Sequence, residues 1–223
     1  MITAENISKS YNKKIILNKV DFTAHANESV VIVGQNGAGK STLLSILAGF
    51  LKPDEGFVSI NNGVAAFCPQ QDNLFDELTV KDNLRFWQNV RKQAVKSESI
   101  NLAKLLGVND YLNKKIRFLS GGMKKCVAIL CALTNDSTVI ILDEPFAGLD
   151  IFYKDILLKA FDELKNSGKC IIYTSHNIDE IMGINNDIYT LANGSLIKIE
   201  KMEKGNDYEF IRQSLLEHSS IKH

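Results

Sequence analysis

The sequence predicts an α/β fold with a parallel sheet flanked by helices, and three observations carry that prediction. The apolar run Val30, Val31, Ile32, Val33 leads directly into the glycine-rich stretch GQNGAGKST, Gly34 to Thr42. A second apolar run, Val139 to Leu142, ends in the acidic pair Asp143 and Glu144. Strands then alternate with helices towards the end of the chain, the order expected when helices cover both faces of a parallel sheet.

Taken in order, the first segment reads as strands. ITAENISKSY and ILNKVDFTAHANE carry partial period-two alternation, with Ile15 and Leu17, then Val20 and Phe22. ESVVIVG is short and continuously apolar, as in a strand buried on both faces. The glycine-rich stretch opens a helix whose apolar side is Leu43, Leu44, Ile46 and Leu47, closed by Gly49 and Pro53. Phe57 to Ile60 and Val64 to Cys68 read as two short strands around the turn Asn61-Asn62-Gly63. From Leu74 to Leu119 the pattern is helical, with Val80, Leu84 and Trp87, then Ile100, Ala103 and Leu106, at helical spacing. SGGMKKCVAILCALTN is a helix starting at two glycines, and Ile151 to Asn166 is another, ended by Gly168. KCIIYTSH is a buried strand, NIDEIMG a short helix and DIYTLANGSLI a hairpin; DYEFIRQSLLEH forms a last helix.

The 223 residues suffice for one sizeable domain, and 45% apolar with 23% charged residues is a globular composition. Lys plus Arg and Asp plus Glu both number 26, and the resulting zero charge argues against nucleic acid as a partner. The N-terminus has no apolar signal core, and no apolar run reaches bilayer length, so a protein soluble on its own is expected. Cys68, Cys126, Cys131 and Cys170 lack metal-site spacing and read as buried free thiols in a reducing cytosol.

GQNGAGKST matches G-x-x-x-x-G-K-[ST]. Gly34, Gly37 and Gly39 let backbone N–H groups face phosphate oxygens, Lys40 places a charge on the β and γ phosphates, and Ser41 offers a hydroxyl to Mg²⁺. Asp143 and Glu144 emerge at a carboxyl strand end, where open α/β sheets bind ligands. Asp143 suits Mg²⁺ held through water, and Glu144 suits polarisation of an attacking water. LSGGM, Leu119 to Met123, is a second anion-attracting helix start far downstream. One nucleotide does not need both loops on one chain; two chains head to tail use both.

These motifs, in this order, resemble the ATP-binding cassette (ABC) ATPases along nearly the whole chain. Tyr11 resembles the family's adenine-stacking aromatic, GQNGAGKST its Walker A loop and VIILDE its Walker B strand. Gln70 in CPQQ resembles the glutamine sensing Mg²⁺ and the γ-phosphate, with Gln71 as the adjacent alternative. LSGGM resembles the signature loop, AGLD ending at Asp150 the loop between protomers, and His176 the switch histidine. Three departures stand out: a short spacing between Gly56 and Gln70, Ile151 where many relatives have proline, and Met123 in place of glutamine. The motif style is closer to exporters of drugs, peptides or antibiotics than to nutrient importers.

The resemblance implies a P-loop NTPase core, a small antiparallel β lobe, a helical subdomain at about 72–135 and a short tail at about 202–223, all in one domain. It implies an ATPase using ATP and Mg²⁺. ATP contacts come from Tyr11, Gly34, Asn36, Gly37, Ala38, Gly39, Lys40, Ser41 and Thr42. Ser120, Gly121 and Gly122 are supplied across a homodimer or pseudo-dimer. Ser41, Gln70 and Asp143 serve the metal; Glu144, His176, Lys40 and Gln70 serve catalysis. It further implies a separate membrane permease docking near Asp72 to Trp87, and a place on the inner face of the cell membrane. An importer ATPase, a ribosome-acting ATPase and a DNA-repair ATPase are the alternatives.

Overall fold

The computed structural model describes residues 1–61, 63–91, 97–133, 137–176, 181 and 187–199. The first sheet is antiparallel, β2 (Lys14–Ala24) beside β1 (Ile2–Tyr11) beside β4 (Glu55–Ile60). The second is six-stranded. Its order is β5 (Ala65–Cys68), β6 (Val139–Leu142), β7 (Cys170–Thr174), β3 (Ser29–Val33), β8 (Asp187–Ala192), β9 (Ser195–Ile199). All its pairings are parallel except β8–β9, which form the expected hairpin.

Period-two geometry explains the continuous apolar runs. Val31, Val33, Ile140, Leu142, Ile171 and Tyr173 pack into one core with α4 (Gly121–Ala132) and α5 (Ile151–Asn166). Their neighbours Val30, Ile32, Val139, Ile141, Cys170 and Ile172 pack into a second core. That core also takes α1 (Lys40–Leu47) and the inward side chains of the antiparallel sheet, Ile2, Ile7, Leu17 and Phe22. A strand buried on both faces has no position for a polar residue until its end, and the chemistry-bearing residues sit there.

One expectation is corrected. The strands flanking Asn61-Asn62-Gly63 do not pair with each other: β4 joins β1, whereas β5 lies parallel to β6. The turn signal marks a crossing between sheets, and the partners of both strands are remote in sequence. That crossing brings the residues after Cys68 to the end of β6, beside Asp143.

Between β5 and α4 lie α2 (Val80–Arg91), α3 (Ser97–Leu105) and two 3-10 turns, Val108–Tyr111 and Ile116–Phe118. Val80 is buried, and Leu84 and Trp87 are half-buried against the core, on the predicted helical spacing. Asn83 is fully buried and its amide binds the Phe75 N–H and the Phe75 and Thr79 carbonyls. It thereby fixes the segment entering α2. The helix expected at NIDEIMG, except Ile181, and the helix expected in the tail lie outside the described residues. Among the described residues, no helix is long and apolar enough to cross a membrane. All four cysteines are buried, and none forms a disulfide. Burial pushes the thiols of Cys68, Cys126 and Cys170 up to about 12, so these stay protonated and inert.

Candidate functional site

The central strand β3 delivers Gly34 to Gly39 at the carboxyl edge of the sheet, and α1 begins at Lys40. The loop fits only glycine at its tightest points. At Gly34 a Cβ would stand 2.5 Å from the Leu191 carbonyl oxygen. Gly39 has φ of 105° and a Cβ there would lie 2.7 Å from Ile16 Cγ2. Lys40 is buried, and its ammonium donates to the Gly34 carbonyl at 2.8 Å and the Gln35 carbonyl at 3.1 Å. Burial lowers its proton affinity, against the opposing pull of Glu144 and Asp143.

A cavity of about 440 Å³ opens over this loop. Its wall includes Tyr11, Ile16, Asn36, Gly37, Gly39, Lys40, Ser41, Thr42, Gln70 and Glu144. Tyr11, at the end of β1, is 47% exposed and lines this cavity, and an exposed aromatic ring is a surface on which a flat base can stack. The Lys9 ammonium lies 5.8 Å from the ring centroid. Gln70, not Gln71, reaches this cavity; Gln71 lines a separate groove with Phe50 and Trp87.

At the end of β6 the chain turns sharply. Glu144 takes φ of 45°, a left-handed conformation that is uncommon for a non-glycine residue. The buried hydroxyl of Thr174 holds that turn. It accepts from the Glu144 N–H at 2.8 Å and donates to Asp143 Oδ1 at 2.7 Å. Glu144 Oε2 accepts from Gln70 Nε2 at 3.0 Å, and His176 Nδ1 lies 3.4 Å from Glu144 Oε1. A smaller cavity of about 180 Å³ adjoins, lined by Glu144, Thr174 and His176 among others. Gln70, Asp143, Glu144 and His176, scattered in sequence, thus meet at one strand end.

The donors suit Mg²⁺ that arrives with a nucleotide. Among the described residues no cluster of three His, Cys, Asp or Glu side chains can hold a metal alone. The hydroxyl of Ser41 and the carboxylate of Asp143 are hard oxygen donors, and Mg²⁺ takes its remaining ligands from phosphates and water.

LSGGM stands apart from that cavity. Ser120 caps α4, its Oγ accepting from the Met123 N–H at 3.3 Å, and it is exposed. Gly121 faces open space, while Gly122 is buried where the Tyr153 ring leaves no room for a Cβ. Gly122 therefore also serves packing of α5 on α4. Asp150 caps α5, accepting from the Tyr153 N–H at 3.0 Å. None of residues 119–123 lines the cavity of about 440 Å³.

Sequence reasoning missed two residues of this region, Thr174 and the buried Lys125. Each leaves a faint signal: a hydroxyl closing the apolar run CIIYT, and a lysine immediately before the apolar run CVAILCA of α4. Replacing Thr174 by valine removes both hydrogen bonds at constant size. It should cost about 1–3 kcal/mol of stability and raise the Mg²⁺ concentration needed for half-maximal ATP hydrolysis. Denaturant unfolding and an Mg²⁺ titration check the two effects; unchanged values in both would remove Thr174 from this role.

Residues 17–147 match the family model described as "ABC transporter". The chain is 28% identical to the ABC transporter ATP-binding protein NatA of Bacillus subtilis, over 97% of this chain and 98% of NatA. It is 31% identical to the linearmycin resistance ATP-binding protein LnrL of the same organism, over 89% of this chain and 68% of LnrL. It is 33% identical to the molybdate/tungstate import ATP-binding protein WtpC of Pyrococcus abyssi, over 89% of this chain and 62% of WtpC. Among solved structures, a dimeric post-hydrolysis ATP-binding cassette bound to ADP and Pi superposes with a TM-score of 0.79 at 26% identity. That match covers 91% of this chain and all of the other.

Proposed function

The chain belongs to the ABC transporter family, and on that premise we propose that it powers export through a separate membrane subunit. It is an ATPase that binds ATP with Mg²⁺, and it works as a dimer with a membrane partner. The observation that carries the site reading is the single cavity joining Tyr11, the phosphate loop, Gln70 and Glu144.

In this reading Tyr11 stacks on the base, and the loop N–H groups and Lys40 hold the β and γ phosphates. Mg²⁺ supplies neutralisation of the developing phosphate charge. Ser41 and Asp143 would hold the metal, and Thr174 fixes the Asp143 carboxylate. Glu144 takes a proton from the attacking water, oriented by Gln70, while His176 contacts the γ-phosphate. Ser120 and its neighbouring N–H groups complete the site of a second copy. The exposure of Ser120 and Gly121, away from this chain's own cavity, supports that arrangement.

The permease reading rests on a groove of about 330 Å³ lined by Phe50, Phe67, Pro69, Gln71, Leu74, Trp87 and Ala128 among others. The groove adjoins the Asp72 to Trp87 segment and carries an exposed aromatic, Phe50. Phe75 and Phe86 stack edge-on beside it, with centroids 4.7 Å apart. Apolar anchors of this kind carry most of an interface's energy. Phe50→Ala should leave ATP binding intact and weaken co-purification with the membrane subunit about tenfold or more. Equal recovery of the subunit would move the docking site elsewhere.

Outward movement of a drug, peptide, antibiotic or lipid-like cargo is supported by the LSGGM motif style and by the similarity to LnrL, a resistance protein. A second reading, import, is favoured by the similarity to WtpC. Inside-out vesicles carrying the chain with its membrane subunit decide between them. On adding Mg-ATP, export accumulates a fluorescent amphipathic antibiotic inside; emptying of preloaded vesicles would make it an importer.

A further inference from the structure

We propose that Lys125 is a positioning residue that ties the helix beginning at Ser120 to the Gln70 segment, and through it to the Glu144 carboxylate. The proposal rests on the reading of Glu144 as the group acting on water. Lys125 lies on α4 and is only 7% exposed, and a lysine is seldom buried without a partner. Its ammonium donates to the Gln70 carbonyl at 3.0 Å and pairs with Asp72 Oδ1 at 3.3 Å. The grip is therefore on the backbone of Gln70, whose side chain in turn donates to Glu144 Oε2 at 3.0 Å.

Two contacts thus run in series from a helix to the reacting centre, Lys125 to the Gln70 carbonyl and the Gln70 amide to Glu144, with Asp72 bracing the lysine. The helix that supplies Lys125 carries Ser120 at its start, and its Ala128, Cys131 and Ala132 line the permease-facing groove. A displacement of α4, whether from a second copy at Ser120 or from a partner in the groove, reaches Gln70 through Lys125. Without Lys125 the Gln70 carbonyl loses this donor and Asp72 loses its cation. The Gln70 amide is then free to drift, and a drift of about 1 Å in a catalytic group can cost up to ~10²-fold in rate.

Lys125→Met, Lys125→Arg and Asp72→Asn test this. The assays are steady-state hydrolysis, binding of a fluorescent ATP analogue, and emission of Trp87, the only tryptophan of the chain, which lines the groove with Gln71 and Leu74. Lys125→Met is expected to lose about tenfold or more in kcat with KM within about twofold, and to lose the Mg-ATP-induced emission change. Lys125→Arg, which keeps the cation, should recover both. A Lys125→Met protein with native kcat and native emission response, or one that only melts earlier, overturns the proposal. Should Lys125→Met not fold, Asp72→Asn carries the test: a reduced kcat supports the grip and a native kcat overturns it. Glu144→Gln run alongside separates the two readings. If it hydrolyses ATP at the native rate, the site assignment fails; if it is inactive while Lys125→Met is native, only this proposal fails.

Discussion

Glu144→Gln is expected to hydrolyse ATP about 10²–10⁴-fold more slowly than the native chain while binding it as tightly. Glutamine keeps the size of the side chain and one acceptor oxygen but cannot take a proton from water. The Thr174 hydrogen bond to the residue-144 N–H and the left-handed turn are backbone features, so the substitution leaves them in place. Gln70 still finds an oxygen to donate to. The rate loss is therefore chemical, and a phosphate-release assay beside an ATP-binding titration separates it from a folding defect. Hydrolysis at the native rate would remove Glu144 from the reaction.

Lys40→Ala should lower hydrolysis by about 10²–10³-fold, the scale of removing one preorganised charge-stabilising donor. ATP binding is expected to fall with it, because in the proposed site the same ammonium faces the phosphates in the ground state. The effect on the fold is smaller. Alanine leaves the Gly34 and Gln35 carbonyls without the Lys40 donor, at about 1–3 kcal/mol. The substitution also removes a mostly buried charge, whose desolvation opposes that loss. The circular dichroism spectrum should stay native while phosphate release drops to background. Turnover near native in Lys40→Ala would contradict the assignment of the loop.

The parts of the site written in contiguous stretches were legible. A buried strand must end at the sheet edge, so VVIVG and IILDE announced both the strands and the groups displayed at their ends. Gln70 and His176 were readable only because their neighbours resembled a known pattern; the meeting of both with Glu144 is tertiary. The β4–β5 turn misled because NNG reports a chain reversal but not which strand each arm pairs with, and β1 and β6 are distant partners. Thr174 and Lys125 were missed for a related reason. Thr174 stands at the end of an apolar run and Lys125 at the start of one, beside a second lysine, and the value of each depends on what stands opposite after folding. Gly122 carried a second meaning as well, since the ring of Tyr153 needs the space that its missing side chain leaves.

In the proposed dimer the cavity and the exposed Ser120 loop are two halves of one site, joined only when two copies enclose ATP. Light scattering of Glu144→Gln during size exclusion measures this directly. With Mg-ADP the expected mass is that of a single chain, 24.9 kDa. With saturating Mg-ATP twice that mass is expected, and the doubling is expected to be lost when Ser120→Arg is added, because a bulky cation at the α4 cap blocks approach of the opposing phosphate. A Glu144→Gln protein that binds Mg-ATP yet keeps the single-chain mass, or a doubled mass indifferent to Ser120→Arg, would contradict the proposed dimer.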